Sequence, residues 1–141
     1  MTMNRSEVQT AWWALRLGFF IAPFLAGIDK FFHLLTNWDQ YLAPWIARIL
    51  PFSGHTFMLI VGVIEIIVAL AMLTRYTRLA AYVASLWLLA IAFNLVTMGR
   101  YFDIALRDIG LAIGAFSLAK LTEGRVVSGV ETGDVALPRA A

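Results

Sequence analysis

Glu65 lies in the middle of an apolar run, Thr56 to Leu73, that is long enough to cross a bilayer. A carboxylate at that depth is costly, so it is expected to be paired or functional. Two cations near the ends of other apolar runs could meet it: Lys30, beside Asp29, and Arg107, beside Asp108. A further run, Leu79 to Met98, carries Asn94. Such a set can do a limited chemistry. A lysine or arginine can hydrogen-bond a carbonyl or an anion, and a glutamate can pass a proton. Trp38, Trp45 and Phe31 could wall an apolar pocket around these groups. The same charges could equally pin helices in register and bind nothing.

Other chemistries are poorly represented. The chain has no cysteine, which excludes disulfides, thiol redox chemistry and cysteine-ligated iron–sulfur clusters. His33 and His55 read as interfacial or hydrogen-bonded residues, since no haem-attachment motif surrounds them. No metal-ligand spacing, nucleophile elbow or phosphate loop stands out, so no metal site is expected. The basic residues are scattered, and no nucleic-acid partner is expected. The chain itself carries no electron-carrier motif. A redox role would need a partner or a diffusible quinone.

The elements that position these residues follow from composition. Of 141 residues, 61% are hydrophobic and 14% charged, against about 25% charged in soluble domains. The mean hydropathy is +0.79. So much apolar surface cannot hide in one soluble core of this size. The expectation is a single integral membrane domain, residues 1–141, lying in a lipid bilayer. The fold class is all-α: a four-transmembrane-helix bundle with helices at about 11–35, 56–73, 79–98 and 104–119. Helices are expected because the runs are contiguous and lack alternating polarity. Pro23 should kink the first. A short interfacial helical segment lies between helices 1 and 2. There Trp38, Tyr41, Leu42, Trp45, Ile46 and Ile49 would share one face, with Pro44 and Pro51 dividing and ending the segment. Residues 122–141 read as a polar, flexible cytoplasmic tail.

Lysine and arginine place seven cations on the side of the termini and four on the other. The expectation is that both termini are cytoplasmic; the membrane expected is a bacterial-type inner membrane. The polar groups then fall in the outer half. Helical side chains lean toward their own N-terminus, so Lys30 and Glu65 lean toward each other, whereas Arg107 would have to bend back. Small residues suggest the packing faces: Gly18, Ala22, Ala26, Lys30 and His33; Gly62, Glu65 and Ala69; and Gly110 and Gly114 with Arg107.

The order of these motifs resembles the DoxX family of small four-helix membrane proteins. The resemblance rests on Gly27-Ile28-Asp29-Lys30-Phe31, Trp38 to Tyr41, Gly62-Val63-Ile64-Glu65, Thr74 to Ala80, and Phe102 to Gly110, within about residues 15–120. Ile66, Ile67 and Val68 follow Glu65 where the family often has a small-residue pair. The resemblance implies the four-helix fold and a place beside membrane redox systems, since one member is a subunit of a thiosulfate:quinone oxidoreductase. The expected function is a small integral subunit of a membrane redox complex, contacting quinone or a small oxidised substrate through Lys30, Glu65, Arg107, Asp108, Asp29, Asn94 and Trp38. The alternative is a non-catalytic structural subunit. Expected partners are other membrane-complex subunits or further copies of the chain.

Overall fold

A computed structural model describes residues 5–133, with side-chain surroundings through Val126. Every regular element among them is helical: α1 (Arg5–Phe32), a 3-10 turn (Trp38–Tyr41), α2 (Pro44–Ile49), α3 (Gly54–Met72), α4 (Thr77–Met98) and α5 (Phe102–Gly133). By length and composition α1, α3 and α4 are each long and apolar enough to cross a membrane. Their surfaces suit lipid contact: Leu25, Ile67, Leu86 and Phe93 are all more than half exposed. In α5 the apolar stretch is interrupted by Arg107, Asp108 and Lys120, and it does not reach the same measure.

The helices associate in two pairs, α1 with α3 and α4 with α5, and narrower contacts join the pairs. The pairs are built differently. Along α4 and α5 the buried positions are largely alanine: Ala80, Ala81, Ala84 and Ala92 face Ala105, Ala112, Ala115 and Ala119. Small side chains let backbones come close where lipid offers no hydrophobic drive for association. Ser85 Oγ donates across this seam to the Ala112 carbonyl at 2.8 Å.

Between α1 and α3 the approach is closest at Gly27 and Gly62. A Cβ on either glycine would lie 2.7 Å from the other's carbonyl oxygen. The packing face of α1 is therefore centred on Gly27. Gly18 and Ala22, expected on that face, are exposed. Gly110 is also exposed with open space around it, so the Gly110–Gly114 pair is not a packing motif. The alanine positions around Asp108 supply that contact instead.

Polar caps fix the end of the bundle near the chain termini. Arg16 Nε donates to the Met72 carbonyl at 2.6 Å and its Nη2 to the Thr74 carbonyl at 3.2 Å. These carbonyls lack helical partners where α3 ends, accept from Thr77 Oγ1 as well, and favour a cation. Tyr82 Oη donates to Glu123 at 2.7 Å, and Trp12 Nε1 to Thr122 Oγ1 at 2.8 Å. Those bonds hold α5 past Leu121. Residues 122–133 are accordingly a continuation of α5, not the flexible tail the polar sequence predicts; residues 134–141 lie outside the described residues.

At the opposite end lies the α1–α3 loop. Pro44 opens α2, and α2 stops at Ile49, directly before the Leu50-Pro51 pair. Leu42 and Ala43 are extended. The aromatic and aliphatic residues of this loop thus do not share one helical face. Leu42 is buried, whereas Ile49 is exposed.

Candidate functional site

The sequence around Lys30 and Glu65 has one spacing twice: Gly27 precedes Lys30 by three residues, and Gly62 precedes Glu65 by three. Residues three apart share a helix face. The close approach at the two glycines therefore brings the two long side chains together. Lys30 Nζ lies 2.6 Å from Glu65 Oε2. The pair is buried, with 3% of the lysine side chain and 10% of the glutamate exposed. Above it, Trp38 places its ring centroid 3.8 Å from Lys30 Nζ, a cation–π contact.

Asp29 holds that roof in place. Its carboxylate accepts from the backbone N–H of Leu34 at 2.8 Å, from that of Leu35 at 3.1 Å, and from Trp38 Nε1 at 2.8 Å. Those N–H groups lie just past the end of α1, in irregular loop that gives them no helical partner. Asp29 is thus committed to the loop. Asn94 is committed too: its Oδ1 accepts from Ala43 N at 2.9 Å, and its Nδ2 donates to the Tyr41 carbonyl at 2.6 Å. Both side chains order the loop over the ion pair and have little left for a ligand.

Arg107 and Asp108 form a second pair, not a third and fourth member of the first. Arg107 Nη2 lies 2.9 Å from Asp108 Oδ1, with Nε at 3.0 Å. The guanidinium side chain is 63% exposed on the bundle surface, while that of Asp108 is 3% exposed. The geometry reverses the expectation that Arg107 shares a buried face with the glycines of α5. Asp108 faces inward, within electrostatic range of Glu65. Trp45 and Phe31, both more than two-fifths exposed, line the surface and do not wall the cluster. Trp45 instead donates to Thr97 at 3.0 Å.

Trp87 is the residue that sequence reasoning missed. Its indole N–H is buried and acts on the Glu65 carboxylate as a donor, at a geometry short of a full hydrogen bond. The signal was available: Trp87 precedes Asn94 by seven residues, two helical turns, and so shares its face. Treating tryptophan as purely apolar hid it. The site is thus two acids, each with its own cation, and a weakly engaged indole donor beside one of them. Comparison with protein-family models, curated proteins and solved structures found no match.

Proposed function

We propose that the chain is a small integral subunit of a membrane redox complex, of the DoxX kind, that meets a quinone-type head group beside Glu65. Four crossings, with α5 as the fourth, both termini cytoplasmic and a bacterial-type inner membrane complete this reading. The observation that carries it is the buried Trp87 N–H, only weakly engaged by Glu65, next to the buried Lys30–Glu65 pair. A quinone carbonyl is an acceptor that such a weakly engaged donor can take up, and the exposed Arg107 guanidinium offers a second donor on the surface that lipid would cover. The donor set fits the group. When bound, a quinone would supply the electron-carrying chemistry that the chain does not. The chain's own part is to orient a carbonyl through Trp87 and Arg107 and to hold a proton-accepting carboxylate, Glu65, against Lys30.

The test is quenching of tryptophan fluorescence by a quinone analogue added to the purified protein. Trp87→Phe and Arg107→Met should raise the apparent Kd at least about tenfold, about 1.4 kcal/mol. Arg78→Met, at the other end of the bundle, should not. The reading is lost if no analogue quenches, or if all three variants behave alike.

A second reading rests on a specific observation. Lys30, Glu65, Arg107, Asp108, Asp29 and Asn94 all have partners within the chain. That degree of internal satisfaction suits a structural subunit whose outer surfaces bind other subunits or further copies of the chain. Stable co-purification with partner subunits, without bound quinone, would favour it.

A further inference from the structure

The sequence spaces His33, Asp39 and His55 too unevenly to read as metal ligands. The fold brings them together. His33 follows α1, Asp39 lies in the 3-10 turn and His55 is in the first turn of α3. One ligand atom from each lies within 4.8 Å of the other two. His55 Nδ1 is already 3.0 Å from Asp39 Oδ2, and the two imidazoles stack with centroids 5.6 Å apart.

From this geometry we infer that His33, Asp39 and His55 form a binding site for a divalent transition-metal ion, zinc by preference, at the loop end of the bundle. Two imidazoles and a carboxylate are a ligand set that zinc, iron and related ions favour over magnesium or calcium. In a tetrahedral zinc site the ligand atoms stand about 3.3 Å apart, from bond lengths of about 2.0–2.1 Å. Closing from 4.8 Å requires side-chain rotation of about an ångström or more. The His55 side chain, 52% exposed, is free to make it. Three protein ligands leave one position for water or a small ligand.

Two further observations on these residues support the site. Asp39 Oδ1 is shielded from solvent and has no hydrogen-bond partner among the described residues. A carboxylate oxygen in that state lacks a cation or donor. His33 also has φ +54°, the left-handed region, at the end of α1. Glycine is the usual residue there and a side chain is strained. The strain is intelligible if the imidazole is needed at that spot. Asp39 follows Trp38 directly, so the metal would also anchor the turn that roofs Lys30.

The full chain, purified in detergent with a histidine-free tag and stripped with a chelator, should bind one equivalent of zinc by calorimetry. Its Tm should rise with zinc, because a ligand held only by the folded state stabilises it. Cobalt should give the intense visible absorption of a tetrahedral site, and excess magnesium should not displace either ion. Asp39→Asn and His55→Gln should each weaken zinc binding at least about tenfold, the scale on which even secondary metal-site partners act. His33→Gly provides a variant that should fold well, because glycine relieves the left-handed strain. It should melt no lower than the metal-free parent yet lose the zinc-dependent rise in Tm. The site is refuted if the parent chain binds no zinc, or if His33→Gly retains the full zinc response. Neither result bears on quinone binding at Trp87, about which these measurements are silent.

Discussion

Separating Lys30 from Glu65 should be among the most damaging single changes in this chain. At 2.6 Å and an effective dielectric of about 20, the attraction between the two charges is about 6 kcal/mol. Most of that is offset by taking both out of water, so the pair adds little net stability. Removing one partner is different, because the desolvation of the survivor is then uncompensated. Glu65→Met leaves Lys30 with only the Trp38 ring. Lys30→Met leaves Glu65 between Asp108 and the indole of Trp87. Each should cost about 3–5 kcal/mol, or roughly 10–15 °C in Tm at about 3 °C per kcal/mol for a domain near this size. Lys30→Met combined with Glu65→Met should recover most of the loss, since well-packed apolar replacements of buried pairs are near neutral. Thermal unfolding in one detergent, followed by tryptophan fluorescence, gives all four corners of the cycle. Single losses below about 1 kcal/mol, or a double variant no better than the worse single one, would refute the pairing argument.

Gly27→Ala should cost about 1–3 kcal/mol, because its Cβ would meet the Gly62 carbonyl at 2.7 Å and the helices must part; Gly110→Ala, in open space, should be neutral or slightly stabilising in the same melt. Trp87→Phe should change Tm by no more than a few degrees, because it deletes only a weak bond to Glu65; a loss as large as that of Lys30→Met would mean that the indole is a full partner of Glu65. Asn94→Leu removes both bonds to the loop and strands the Ala43 N–H and Tyr41 carbonyl. Proteolysis should then cut between residues 36 and 53 faster than in the parent, and equal rates would count against the staple. Arg16→Met should cost no more than about 1 kcal/mol, because Thr77 Oγ1 also donates to the Met72 and Thr74 carbonyls and keeps both paired; a clearly larger loss in the same melt would mean that Thr77 does not hold them alone.

Much of the architecture was legible because lipid-facing helices write themselves as long apolar runs, and α1, α3 and α4 carry that signature. The Lys30–Glu65 contact was legible because side-chain lean and shared helix faces follow from helix geometry alone. What failed were inferences needing the rotation of one helix against another. Arg107 and Gly110 belong to a face that turned outward, since the alanines of α5 pack closely enough without them. Asp29 and Asn94 resemble ligand groups in sequence, but unpaired loop backbone groups claim them. The end of α5 was misjudged because composition cannot show that Tyr82 and Trp12 reach across to hold it. The meeting of the two histidines with Asp39 was not legible because it depends on where a loop of more than twenty residues, from α1 to α3, returns.

The alanine seam between α4 and α5 has a mechanical consequence. Alanine has no rotamers, so this interface can neither repack nor yield, and it should behave as a double-stranded beam. The α1–α3 pair, locked at two glycines, is a second stiff member. Compliance is then left to the thinner contacts between the beams, and the Lys30–Glu65 pair and Asp108 come from opposite sides of that line. A small shear of one beam against the other would change the separation of Glu65 from Asp108 while barely touching either pair's internal geometry. The charges near the middle of this bundle therefore sit where relative sliding of its two halves is converted most directly into a change of electric field.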